Sequence, residues 1–412
     1  MSWKCPRATN QDRQHVLAFH DDFHAVDRPA SSPENGQNPF VLYQQYLHVD
    51  AFGEALGIDV DQRRKLIVAA DKAVAGVAGT GFFVTPLQRA DALSDALNFS
   101  ASGGIWIKDE TGNVAGSQKA RHIFTELLHL LYIEHAGRAP WSSINDRPPL
   151  AIASCGNAAI AASTLAASAG WPITVFVPVS ASESVVNLLH SLNATVVTCP
   201  RVATDPPGDP CVHRFREAVS GGAIPFGVQG TENVWCLDGG RTIGWEMAHA
   251  VSAPFDRVVV QVGGGAFASC VGHAFAHTSP TTALHAVQAE GCAPLHRAWE
   301  QAQRSGGTRD AGDRWQQCMW PWEQVPHSLA DGILDDETYD WISVMNAMTD
   351  SHGSPIVATE TQVTEAMSLA HQYTDIDVSP TGTAGLAGVL AMRHAIRDDE
   401  KIAVVFSGLL RR

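Results

Sequence analysis

The feature that most constrains this chain is an alternation beginning near Pro149. From there short β-branched runs are separated by longer stretches with helical spacing, the signature of a parallel sheet covered by helices. The clearest buried strands are predicted at Leu150–Ala153, Ile173–Val177, Ala194–Thr198, Val258–Val262 and Ile402–Phe406, with helices at Ala158–Ala169 and Glu183–Leu192. Asp205-Pro206-Pro207-Gly208-Asp209-Pro210 can be neither helix nor central strand. A second long loop is expected at Ser305–Gly312, ahead of Trp315, Trp320 and Trp322. Those tryptophans can line a substrate mouth, form a subunit contact or simply pack in the interior. The first forty residues show little periodicity and read as an extension wrapped on the surface or partly disordered.

A chain of 412 residues, 45% hydrophobic and 17% charged, has room for one to three domains and a large core. Its 28 Lys+Arg against 43 Asp+Glu give a formal charge of -15 with no basic cluster, a balance that repels nucleic acid and anionic lipid. The longest apolar stretches, Leu127–Ile133 and Gly385–Met392, fall far short of a membrane span. The polar start, with Lys4, Arg7, Asp12 and Arg13, has no signal-peptide core, so the expected compartment is the cytoplasm. Eight widely spaced cysteines, Cys5, Cys155, Cys199, Cys211, Cys236, Cys270, Cys292 and Cys318, read as small buried hydrophobes in a reducing compartment. His273 and His277 have the i,i+4 spacing of a ligand pair, but no Glu follows the first and no third ligand is nearby, so no metal is expected.

Three strand ends carry the candidate chemistry, since ligands in open α/β sheets bind at that edge. Gly263-Gly264-Gly265 follows Val258–Val262 and opens a helix at Ala266–Ala276. Backbone amides at a helix start suit a phosphate, while a tight turn would use the same glycines. Ser154-Cys155-Gly156-Asn157 follows Leu150–Ala153. Ser154 and Asn157 can cap the next helix, or the loop can present amides and polar side chains to a carboxylate or phenolic oxygen. The third segment runs from Gly104 through Asn113 to Gly116-Ser117-Gln118-Lys119-Ala120-Arg121-His122. It places Lys119 in the first turn of a helix, where the dipole disfavours the charged amine and desolvation would make it a nucleophile. An isolated lysine there would read as an exposed surface residue.

Together, and in this order, the three motifs resemble the fold-type II pyridoxal-phosphate enzymes, the tryptophan synthase β-subunit superfamily, over about Gly104 to Gly408. Gly230-Thr231-Glu232-Asn233 followed by Leu237-Asp238-Gly239-Gly240-Arg241-Thr242-Ile243-Gly244-Trp245-Glu246 is most similar to its threonine synthase and serine/threonine dehydratase branch. The resemblance implies an α/β fold of two doubly wound parallel-sheet domains with the active site in the cleft between them. Expected boundaries are an N-terminal extension over 1–45, a larger domain over 46–116 and 225–412, and a smaller mobile domain over 117–224.

By the same resemblance the cofactor is pyridoxal 5′-phosphate, held on Lys119 as a Schiff base, with Lys119 then serving as the base at the substrate α-carbon. Gly263, Gly264, Gly265 and the amide of Ala266 would bind its phosphate and Asn157 its 3′-oxygen. Ser154, Cys155 and Gly156 would cradle the substrate carboxylate. Ser407 would face the ring nitrogen, with Thr381 and Thr383 as rivals for that role. A hydroxyl cannot keep the nitrogen protonated as a carboxylate would, which favours elimination or replacement at Cβ over transamination. The implied activity is β-elimination from a small α-amino acid, giving a 2-oxo acid and ammonia, in a homodimer. The alternatives are a threonine synthase- or cysteine synthase-like replacement enzyme and a catalytically silent cofactor-binding partner. Where the family commonly reads Asn-Pro-Thr-Gly-Ser-Phe-Lys-Asp-Arg, this chain has Val114, Ala115, Gln118 and Ala120 at the variable places. Loss of a hydroxyl at Ala115 points away from threonine synthase itself.

Overall fold

The computed structural model describes residues 3–9, 12, 14–21, 23–29 and 36–411. Part of the extension expected over 1–45 lies outside them. The chain divides into two compact units, the first made of 1–21, 36–83 and 113–240, the second of 22–35, 84–112 and 241–412. Its strands in chain order are β1 Leu87–Arg89, β2 Gly104–Asp109, β3 Leu150–Ala153, β4 Ile173–Val177, β5 Thr195–Thr198, β6 Ile224–Pro225, β7 Arg257–Gln261, β8 Ala283–Ala289, β9 Ser354–Ala358 and β10 Lys401–Phe406.

The first unit holds a parallel sheet in the order β5-β4-β3-β6. Ala151 and Phe176 from adjacent strands pack with Cys211 and Phe215 of the Pro210–Ser220 helix. That helix starts one residue inside the expected loop. The Asp209 side chain accepts from the Cys211 amide at 2.8 Å and Pro210 takes the first helical position, where its missing N–H leaves nothing unsatisfied. Trp3 meets Trp235 edge-on at 5.7 Å, so the start of the chain is tied to this unit.

The second unit holds a sheet in the order β1-β2-β10-β7-β8-β9, in which only β1 is antiparallel. Both faces are covered, so successive residues feed different cores. Val258, Val260, Ala403 and Val405 enter one, packed with Phe267, Trp341 and Met345. Val259, Ile402, Val404 and Phe406 enter the other, packed with Leu386 and Val389. This two-sided burial is why the strands read as continuous apolar runs. The tryptophan run packs against its own unit. Trp315 lies edge-on to Trp341 at 5.4 Å, and the Arg297 guanidinium sits 3.9 Å from the Trp320 ring centre.

Six of the eight cysteines are buried as expected, whereas Cys155 is exposed and Cys5 half-buried. Burial pushes the Cys292 thiol up to about 12, with Asp335 and Asp336 adding to the shift. Among the described residues no helix is long and apolar enough to cross a membrane.

Two buried histidines make the fold acid-sensitive. His285 takes an Arg257 N–H on Nε2 at 3.1 Å, and its Nδ1 lies 3.3 Å from the Ser354 carbonyl oxygen. Burial first, and then the Arg257 charge, lower its pKa to about 4. His129 stacks on Trp235 with ring centres 4.4 Å apart and donates from Nδ1 to the Thr125 carbonyl at 2.7 Å, and burial lowers it to about 4 as well. The unfolded chain takes up a proton on each as pH falls through about 6.5, while the folded chain resists until about 4. Each contribution is therefore full above pH 6.5 and lost on acidification, by about 1.4 kcal/mol per pH unit within that window. Glu126 and Asp71, whose pKa values are raised by burial, act with the opposite sign, so the check is a comparison. Urea midpoints should fall less between pH 7 and pH 5 for His285→Gln than for the wild type. Equal falls would mean that His285 is not held neutral.

Candidate active site

Each unit places its candidate loops where its own strand order reverses. In the first, β4 and β5 lie to one side of β3 and β6 to the other, and the loop leaving β3 is Ser154–Asn157. In the second, β8 and β9 lie to one side of β7 and β10 to the other. The loops leaving these two adjacent strands are Gly263–Gly265 and Ser407. Reversal points of open α/β sheets are where ligands bind, because the chain there diverges and opens a crevice at the strand ends.

In the first unit, Ala115 (φ 55°) and Gly116 (φ 68°) take successive left-handed conformations before the Lys119–His135 helix. For alanine that costs on the order of 1 kcal/mol, a strain of the kind that gathers at functional turns. Lys119 is the first helical residue and is half-buried, and no side chain caps the helix start. Beside it, Ser117 Oγ and Gln118 Oε1 are buried and have no hydrogen-bond partner among the described residues. The helix is buried almost all round, so its polar residues face protein. His122 donates from Nδ1 to the Cys236 carbonyl at 2.8 Å. Gly239 and Gly240 make this approach possible, since a β-carbon at Gly240 would lie 2.2 Å from the His122 ring.

The capping alternative for the next loop does not describe what forms. The Asn157–Ser168 helix has Gly156 at its cap position and no side-chain cap bond. Ser154 Oγ accepts only a long contact from the Gly156 amide at 3.4 Å, and Cys155 is exposed. Ser154, Gly156 and Asn157 are half-buried. This loop therefore offers polar groups at an uncapped helix start rather than using them to close it.

In the second unit the glycines have two explanations that separate cleanly. A β-carbon at Gly263 would lie 2.4 Å from Asp335 Oδ2, one at Gly264 would lie 3.1 Å from Tyr339, and Gly265 has φ 101°. Packing against residues 333–340 and the left-handed turn thus account for the glycines themselves. They do not account for the amides of Gly264, Gly265 and Ala266, which find no acceptor among the described residues and no side-chain cap at the start of the Ala266–Ala276 helix. Gly265 and Ala266 are buried. Buried amides require a partner, and an oxyanion at a helix start supplies one. The donor set fits a phosphate.

The hydroxyls after β10 differ in what they have left to give. Thr381 donates to Asp331 at 3.3 Å and accepts from the Gly332 amide, and Thr383 donates to the Pro380 carbonyl at 3.1 Å. Ser407 is buried and its oxygen accepts from Gln261 Nε2 at 2.6 Å. Gln261 and Glu126 were not among the residues singled out from sequence. Glu126, seven residues beyond Lys119 on one helix face, is fully buried. Neither of its oxygens has a hydrogen-bond partner among the described residues, and the Gly227 amide faces it without completing a bond. Burial raises its pKa well above the ordinary carboxylate value. A charged residue amid Phe124, Leu127 and Leu128 was the sequence signal for it.

The chain belongs to the pyridoxal-phosphate dependent enzyme family, whose model matches residues 79–408. It is a pyridoxal-phosphate-dependent enzyme of fold type II. Among solved structures it is similar to maize serine racemase (TM-score 0.63, 18% identity, 84% of this chain and 92% of that one) and to the processed form of threonine deaminase isoform 2 from Solanum lycopersicum (0.61, 18%, 86% and 91%). It is also similar to diaminopropionate ammonia lyase from Escherichia coli in complex with an aminoacrylate-PLP azomethine intermediate (0.63, 15%, 95% and 94%). A comparison with curated proteins gives no match.

Proposed function

We propose that the chain is a lyase that removes a β-substituent from a small α-amino acid and releases a 2-oxo acid and ammonia, acting as a cytoplasmic homodimer. The observation that carries this reading is Ser407, a buried hydroxyl rather than a carboxylate at the end of β10, on the strand adjacent to the glycine loop. When bound, pyridoxal phosphate supplies an electron sink for the pair left at the substrate α-carbon. A neutral hydroxyl at the ring nitrogen weakens that sink, which favours prompt departure of a group from Cβ.

The chain's own residues have distinct tasks in this reading. Lys119 would hold the cofactor through its amine and would take the substrate α-proton on its Nζ. Ser154, Cys155 and Gly156 hold the substrate carboxylate through amides and a hydroxyl, and Asn157 steadies the cofactor's 3′-oxygen. The amides of Gly263, Gly264, Gly265 and Ala266 hold the phosphate. The uncapped Asn157–Ser168 helix and the acceptor-less amides at Gly264–Ala266 support these assignments.

The test is to offer reconstituted protein serine, threonine, cysteine and 2,3-diaminopropionate, and to assay ammonia and 2-oxo acid. Both products should form with at least one of them. No release across the panel with cofactor bound would overturn elimination, and a product seen only when a nucleophile is added would assign replacement instead.

A further inference from the structure

Gln261 closes β7, two residues before the glycine loop, and is buried. Its Nε2 lies 3.1 Å from the Thr381 carbonyl oxygen, 3.1 Å from that of Gly382, 3.3 Å from that of Val405 and 2.6 Å from Ser407 Oγ. Three carbonyls around one atom leave no choice of orientation. An amide oxygen there would face three other oxygens, so the nitrogen must, and it can only donate. The Ser407 oxygen is therefore an acceptor toward Gln261, and its proton must point elsewhere. No protein acceptor for that proton is found among the described residues, whereas the protons of Thr381 and Thr383 are both committed.

We propose that Gln261 is a positioning residue that fixes the Ser407 hydroxyl as a hydrogen-bond donor toward the cofactor's ring nitrogen, holding that nitrogen unprotonated. The inference rests on the reading of Ser407 as the partner of that nitrogen. A hydroxyl that accepts a bond is polarised into a stronger donor, so the pair acts as a relay of fixed direction. The arrangement carries a cost, because Gln261 Oε1 is buried with no partner among the described residues. An apolar side chain of the same length would avoid that cost and fill the same space, but it would not donate to Ser407 and so would leave the direction of the Ser407 proton unfixed.

The experiment loads wild type, Gln261→Met and Ser407→Ala with pyridoxal phosphate labelled with nitrogen-15 in the ring, and follows the ring-nitrogen resonance with pH. In wild type the resonance should sit at an unprotonated, hydrogen-bonded position and stay there through the neutral range. Gln261→Met should shift it in the direction of Ser407→Ala by at least half as much, and the double variant should match Ser407→Ala alone. Gln261→Asn, which keeps an amide among the carbonyls but withdraws it from Ser407, gives the same reading if the methionine variant does not fold. A resonance moved by Ser407→Ala but not by the Gln261 variants overturns the proposal and leaves the functional reading standing. A resonance that Ser407→Ala does not move overturns the placement of Ser407 and the proposal with it, and failure of wild type to bind the cofactor overturns both readings at their root.

Discussion

If Lys119 carries the roles proposed for it, Lys119→Ala is expected to abolish the visible absorbance band of the reconstituted protein and to lower ammonia release by about 10³-fold or more, since the variant would lack both the covalent anchor and the general base. The chain has six lysines, Lys4, Lys65, Lys72, Lys108, Lys119 and Lys401, which makes the assignment discriminating. Lys4, Lys65 and Lys72 are exposed, and Lys401 lies 5.9 Å from the Trp106 ring centre at the start of β10, the end of the sheet remote from the loops. Lys108 is fully buried, with its ammonium on Glu246. Lys119 alone is half-buried at a helix start beside the unsatisfied Ser117 and Gln118 atoms. Lys119→Arg keeps the charge but not the nucleophilic amine, so it should be as inactive as alanine while far-ultraviolet circular dichroism stays native. A band retained in Lys119→Ala would place the cofactor on another amine.

Much of the second unit was legible because its strands are buried on both faces. Val258 to Val262 and Ile402 to Phe406 are apolar without interruption except at Gln261, and a run of that kind ending at a glycine-bearing loop has few other fates. The Ala266–Ala276 helix forms over the predicted residues, because Gly265 sets its start and the small residues after it allow close packing on the neighbouring helices, where a β-carbon at Gly272 would lie 2.6 Å from Ala347. Gln261 was the one polar residue in the run and therefore a signal. Its meaning was hidden because Ser407, the group it contacts, is 146 residues away in sequence.

Other features lay beyond pattern because they depend on who approaches whom. Gly239 and Gly240 read as a turn, yet what requires them is the Lys119 helix, whose Arg121 carbonyl oxygen would lie 2.0 Å from a β-carbon at Gly239. Glu126 sits on a helix buried all round, where amphipathic spacing gives no direction to face. The three glycines were legible as a phosphate loop or as a tight turn. Side-chain packing from residues 333–340 could not be foreseen, and the unsatisfied amides that remain beyond that packing appear only in three dimensions.

Lys108→Met should destabilise the protein by about 3–5 kcal/mol, the cost of taking one partner from a buried ion pair. Lys108 is on β2 and Glu246 on the Arg241–Ala250 helix, both 1% exposed at the side chain. The ammonium donates to Glu246 Oε2 at 2.5 Å and to the Thr85 carbonyl at 2.6 Å. Thr85 extends the cluster, its amide donating to Glu246 at 3.3 Å and its hydroxyl to Glu110 at 2.5 Å. Removing the cation takes a buried positive charge from a carboxylate that has little water to turn to. A surface pair would change stability by less than about 1 kcal/mol, so the urea midpoint decides between the two regimes. Replacing both partners, Lys108→Met with Glu246→Leu, should recover much of the loss, because it removes the buried carboxylate along with the ammonium. The folded fraction of Lys108→Met should still bind pyridoxal phosphate and show its visible band. That outcome would separate this lysine, which holds its strand to the adjoining helix, from Lys119, whose removal takes the band and spares the fold.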